Sequence, residues 1–285
     1  MADTRSGPRD DVDDRSEARP RARRNDLPRL VTVSVSAVLC VVGSMWGSGV
    51  FGGPSVPEAA DGALRADSTL IAPGGPAFSI WGLIYFGLVA YAVWQWLPGQ
   101  RRAARHRRVG WLVAASMILN AVWLLTVRED LLWFSVGVIV VLAIVLATAL
   151  RSLRLARVTG LADQVITDGT LGVYLGWVTV ATCANVAATL VDGGADAVGD
   201  ASEWITVAVL AVAVLLAAVL ALSTGGNLGI GLAVCWGLAW VGAERLDGEP
   251  ASDLVGWAAV AAALLALVVT VVVRTRTSGD RLRVV

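Results

Sequence analysis

The feature that most limits this chain is a series of long apolar runs, each separated from the next by a short charged or glycine-rich break. A spanning helix takes roughly 20 mostly apolar residues. Runs of about that length recur at Leu30–Phe51, Ala77–Leu97, Val109–Val127, Leu131–Leu150, Thr170–Val191, Trp204–Leu222, Asn227–Gly242 and Leu254–Val273. In hydrocarbon every backbone N–H and C=O must be paired within the protein, and an α-helix does this inside one segment. The pattern therefore predicts an all-α membrane protein, a polytopic bundle of eight spans. Composition agrees: 56% of the 285 residues are hydrophobic, against about 45–50% in soluble domains. The seventh run is short and rich in glycine, so a re-entrant or kinked segment is the alternative there.

The breaks between runs test this parse. Short cytoplasmic loops carry the excess of basic residues. Arg19, Arg21, Arg23, Arg24 and Arg29 precede the first run, and Glu58, Asp61 and Asp67 outnumber Arg65 after it. Arg101, Arg102, Arg105, Arg107 and Arg108 follow the second run, and Arg151, Arg154 and Arg157 the fourth. Asp192, Asp196, Asp200 and Glu203 follow the fifth, Glu244, Asp247, Glu249 and Asp253 the seventh, and Arg274, Arg276, Arg281 and Arg283 the last. Basic and acidic loops alternate, interrupted by one neutral loop, Ser223–Gly226. Both termini are thus expected in the cytoplasm. Residues 1–28 are polar and hold too little apolar surface to fold, which predicts a disordered tail; 275–285 reads as a second tail. All 23 basic residues are arginine, a usage that suggests a high-GC bacterium and hence a bacterial plasma (inner) membrane. Zero net charge gives no reason to expect a nucleic-acid partner.

Ionisable side chains are nearly missing from the runs; Asp168 sits at the mouth of the fifth. Ion-coupled carriers keep such groups at membrane depth, and hydrolytic chemistry needs an acid–base set, so neither is expected. The single histidine, His106, reads as a solvated loop residue in the arginine-rich break. Cys40, Cys183 and Cys235 stand alone without redox or metal spacing, so no metal and no required cofactor is expected.

Tryptophan is abundant, with twelve against four phenylalanines and three tyrosines. Trp133 and Trp204 follow acidic breaks and fit an interfacial belt. Trp81, Trp123 and Trp177 lie inside runs beside small or polar residues. Aromatic rings lining a cavity suit flat apolar ligands, with a few polar groups fixing orientation. Asn120 and Trp123 are three apart on one helical face, and Asn185 lies about 80° around the helix from Trp177. An asparagine inside a span needs a partner, which can be another helix or a ligand; spacing leaves both readings open.

Three segments share a pattern: Ala77 to Tyr85 with Trp81 and Tyr85; Leu119, Asn120 and Trp123; and Tyr174, Trp177, Ala181 and Asn185. In order and placement they resemble the TspO/MBR family, the tryptophan-rich sensory proteins related to the mitochondrial translocator protein. The resemblance covers about Leu30 to Leu190. It implies a five-helix domain over 29–191, with a three-helix region over 192–274 added to it. It also implies binding of a porphyrin/tetrapyrrole or sterol-like ligand, for sensing, sequestration or transport, with Trp81, Tyr85, Asn120, Trp123, Tyr174, Trp177 and Asn185 as ligand-binding residues. Homodimers are implied in the same way. A porphyrin-degrading enzyme or an uncoupled small-solute carrier are the alternatives. Because the motif residues all precede Leu190, a chain ending near Asp196 is expected to keep the pocket. Trp236-Gly237-Leu238-Ala239-Trp240 echoes Trp81-Gly82-Leu83-Ile84-Tyr85 in form.

Overall fold

A computed structural model describes residues 26–47, 52, 58, 60–156, 158, 160–195 and 200–282, with Asp200 and 278–282 as backbone only. Among these are eight long helices and no strand. They are α1 Leu27–Gly47, α2 Ile80–Trp94, entered through a 3-10 turn Gly75–Ser79, α3 Ala104–Arg128 and α4 Leu132–Arg154. After these come α5 Leu161–Asp192, α6 Asp200–Thr224, α7 Leu228–Asp247 and α8 Asp253–Leu282. Seven are long and apolar enough to cross a membrane. The exception is α7, the glycine-rich seventh run. It is an uninterrupted helix of 20 residues, packed between α5 and α8. Its neighbours rather than lipid cover it, so it can be less apolar. The protein is a multi-pass membrane protein.

Several boundaries differ from expectation. The expected tail 1–28 lies outside the described residues except at its end, where Leu27 already opens α1. The segment 275–285 is helix as far as Leu282, because its polar residues include no helix breaker but Gly279. Helices α3 and α5 begin five and nine residues before their apolar runs. Their first turns are polar, and that carries charged residues into the bundle.

The charges so introduced form a buried network at the arginine-rich end. Arg105 on α3 pairs with Asp163 at 3.1 Å and with Asp168, both on α5. Its Nη1 also donates to the Leu153 and Ala156 carbonyls at the end of α4, each at 3.4 Å. His106 is not solvated: it is fully buried. It lies 3.0 Å from Gln100 Oε1 and 3.6 Å from Asp163, edge-on to Tyr91. Arg29 on α1 donates to Gln95 Oε1 and to the Arg101 carbonyl, both at 2.8 Å. The expectation of almost charge-free spans fails at this end because helices outrun the apolar runs that mark them. The second turn of α5, Gln164–Gly169, is π-helical, within the stretch that Arg105 grips.

Helices α1, α3, α4 and α5 neighbour in that order, α2 lies against α1 and α5, and α7 and α8 continue from α5 toward α6. The join between α5 and α7 is a seam of small residues. A methyl on Gly176 would lie 2.5 Å from the Ile230 carbonyl oxygen. Small residues let helix backbones approach this closely in a membrane. Asn227 caps α7 by accepting from Gly229 N at 2.9 Å and ties it to α5 by donating to the Asp168 carbonyl at 3.0 Å.

Two substitutions test this packing. Gly176→Val should cost about 1–3 kcal/mol by overpacking and lower the melting temperature in detergent, whereas Gly82→Ala, which meets open space, should not. Arg105→Met, which leaves Asp163 buried and Asp168 half-buried without their guanidinium, should cost about 3–5 kcal/mol in the same assay.

Candidate functional site

The rings singled out in the sequence converge. Trp81 on α2 stacks on Tyr85 with centroids 5.4 Å apart and on Trp123 of α3 at 6.2 Å. It meets Tyr174 and Trp177 of α5 edge-on at 6.0 and 6.3 Å. Such offset and edge geometries suit the ring quadrupoles. Their helical origin is simple: Trp81 and Tyr85 are four apart on α2, and Tyr174 and Trp177 three apart on α5, so each pair shares a face. Asn120 joins the cluster through Nδ2, which donates to Tyr85 Oη at 3.2 Å. Tyr174 Oη donates to the Ser116 carbonyl at 3.2 Å.

Asn185 does not join it. Its Nδ2 donates to Ser135 Oγ on α4 at 3.0 Å, and its rotation around α5 from Trp177 turns it toward that helix. Of the two readings left open for the asparagines, interhelical pairing describes Asn185. Asn120 keeps a buried Oδ1 without a hydrogen-bond partner among the described residues.

Next to the rings is a small cavity of about 30 Å³, the volume share of one liquid water. Phe78, Trp123, Trp177, Ala181 and Ala184 wall it. Phe78 was not singled out in the sequence, although it opens the same motif; it packs edge-on to Trp177 at 5.7 Å. The indole Nε1 groups of Trp123 and Trp177 are buried and have no hydrogen-bond partner among the described residues. A buried donor without a partner costs about 1–3 kcal/mol, and the two indoles that carry these donors both line the cavity.

The α1–α2 connection roofs the cavity through Ala63, Leu64, Ser68, Thr69, Ala72 and Pro73. What holds this roof down is α7. Arg245, fully buried, donates to the Ala66 carbonyl at 2.7 Å and the Thr69 carbonyl at 3.2 Å, and to Glu249 O at 3.0 Å. Gly74 N donates to the Trp240 carbonyl at 3.2 Å. Trp236 Nε1 donates to the Ala77 carbonyl at 3.0 Å. The segment that echoes the α2 motif thus docks against that motif's entrance. In the sequence Arg245 stands among Glu244, Asp247, Glu249 and Asp253 after the seventh run. An arginine set among acidic residues directly after the seventh run was the signal that could have found it. On the far side of Thr69–Ile71, an apolar groove of about 430 Å³ runs between α5 and α6 and is open to the surroundings.

The family model of TSPO-like proteins matches residues 29–272. The chain belongs to the TSPO-like family. Comparison with curated proteins and with solved structures gave no match. The match runs past Leu190, where the motifs end, and takes in α6, α7 and nearly all of the apolar part of α8. In this TSPO-like protein the C-terminal helices belong to the site's construction as well, through the Arg245 latch.

Arg245→Gln should therefore loosen the roof while the bundle stays folded. Hydrogen–deuterium exchange over residues 60–79 should rise by roughly tenfold, since each lost hydrogen bond contributes about 1 kcal/mol. Exchange in α3 and α4 should stay unchanged.

Proposed function

We propose that this TSPO-like protein binds a flat hydrophobic ligand, of porphyrin/tetrapyrrole or sterol-like kind, beneath the 60–79 roof, for sensing, sequestration or transport rather than catalysis. One observation carries the reading: two indoles that line one roofed apolar cavity each carry a buried N–H donor without a partner among the described residues. An acceptor on a ligand edge, such as a carboxylate or carbonyl, would complete both. The faces of Trp81 and its neighbours would stack the ring, and the free Asn120 Oδ1 would take a donor. Drug-sized ligands occupy about 300–1,000 Å³, far above the 30 Å³ present. Binding therefore requires the roof to lift, and the Arg245 latch sets the energy of that step. The groove between α5 and α6 shares Thr69 with the cavity, so a lifted roof would join the cavity to the bilayer. With the arginine-rich end in the cytoplasm of a bacterial plasma membrane, the roof faces outward.

Tryptophan-fluorescence titration of the purified protein with haem, protoporphyrin and cholesterol tests this. At least one of the three should quench with saturation below the high-micromolar range, and no saturable response to any of them would overturn the proposal. Trp123→Phe and Trp177→Phe keep the rings and remove the donors. Each should weaken binding by about tenfold, one step of 1.4 kcal/mol. Asn185→Ala should lower the melting temperature and leave affinity unchanged.

A further inference from the structure

At the arginine-rich end, away from the aromatic cavity, a polar cleft of about 530 Å³ opens among the end of α4, the start of α5, the α6–α7 turn and the end of α8. Two arginines line it, Arg154 from α4 and Arg274 from α8. The turn between them fixes this pairing. Gly225 and Gly226 both have φ of +75°, a conformation that favours glycine. A methyl on Gly226 would lie 2.4 Å from the Arg274 backbone nitrogen, and one on Gly225 would lie 3.3 Å from Arg154 Nε. The turn therefore sits against both arginines, and neither glycine can be replaced without moving one of them.

Neither guanidinium has a carboxylate partner among the described residues. Arg154 Nη1 donates to the Leu222 and Ser223 carbonyls at 3.0 and 3.1 Å, near the end of α6, and among the described residues no hydrogen bond holds the Arg274 side chain. The carboxylate that lines the cleft, Asp168, is paired with Arg105 behind it. Two like charges facing one cleft without a counter-ion repel one another and attract an anion. Gln164, Thr224 and Thr277 add amide and hydroxyl groups. The rim is apolar and exposed, with Leu155 at 78% and Val158 at 46%. Basic clefts between membrane helices recognise lipid headgroups in this way.

We infer that this cleft binds the headgroup of an anionic phospholipid. Arg154 and Arg274 take its phosphate, Gln164 and Asp168 accept from headgroup hydroxyls, and the acyl chains lie along Leu155 and Val158. Phosphatidylglycerol has this chemistry: one phosphodiester charge with a diol beyond it. Binding would tie α4 and α8 to the α6–α7 turn, directly below the glycine seam that joins the two halves of the bundle.

The test uses the full chain, delipidated in neutral detergent, with melting followed as lipid is added. Phosphatidylglycerol should raise the melting temperature and phosphatidylcholine should not. The double variant R154Q/R274Q should need roughly tenfold more phosphatidylglycerol, or more, for half the shift, while melting normally in phosphatidylcholine. R101Q/R102Q, which removes two exposed arginines at the same end but outside the cleft, should respond as the parent does. Should R154Q/R274Q melt early, R274Q alone serves, since that side chain makes no hydrogen bond among the described residues. An undiminished response in R274Q and the double variant would overturn the proposal. So would an equal loss of response in R101Q/R102Q, which would mean a diffuse basic surface. An equal shift with inorganic phosphate would also overturn it, by making the cleft a site for a free anion.

Discussion

The close approach of α5 and α7 at Gly176 is the contact on which the rest of the structure depends. With no side chain there, the α7 backbone comes near enough for the Ile230 carbonyl to lie against α5. In hydrocarbon this closeness is held by dispersion and by few polar groups, since lipid tails are as apolar as the side chains they would replace. It fixes the height and rotation of α7, and both ends of that helix then do work. At one end Asn227 binds the Asp168 carbonyl. At the other, Trp236, Trp240 and Arg245 reach the α1–α2 connection and close the aromatic cavity.

Among the described residues, buried charged side chains are few and gather at the two ends of the bundle. At the arginine-rich end Arg105 gathers α3, α4 and α5 about one buried guanidinium. At the acidic end Arg245 gathers the loop carbonyls. Both are arginines for the same reason: a planar fork of donors can serve several acceptors at once, and it stays charged even when buried. Arg105 has carboxylates to offset its charge, whereas among the described residues Arg245 has carbonyl dipoles alone within hydrogen-bonding distance. The roof is thus held by contacts that water or a ligand could replace, and the base of the bundle by ion pairs that they could not.

Much of the fold was legible because the membrane makes it so. Hydrocarbon thickness sets the length of each run, and backbone pairing forces each run to be helical, so periods and lengths alone located eight helices. Loop charge located the breaks between them. The failures came where that logic stops. Polar first turns of α3 and α5 look like loop in the sequence, so His106 and Asp163 passed as solvated or unremarkable although both are buried. Among the candidate site residues, helical spacing brought Trp81, Tyr85, Asn120, Trp123, Tyr174 and Trp177 together. For Asn185 an 80° rotation separates a cavity wall from a helix interface, and spacing could not decide between them.

The sequence by itself determined that this chain is a helical membrane protein, which runs form helices, and which aromatic residues share a helical face. Those follow from local rules: one residue's place along a run fixes its depth and its angle. Only the tertiary structure decided that the α1–α2 connection is a roof, that α7 latches it, and that Arg154 and Arg274 share a cleft. These depend on which helix neighbours which, and that is set by where backbones can approach most closely, at Gly176 and at the Gly225–Gly226 turn. Whether two residues about 180 positions apart, such as Ala66 and Arg245, meet is a property of packing that no local pattern encodes.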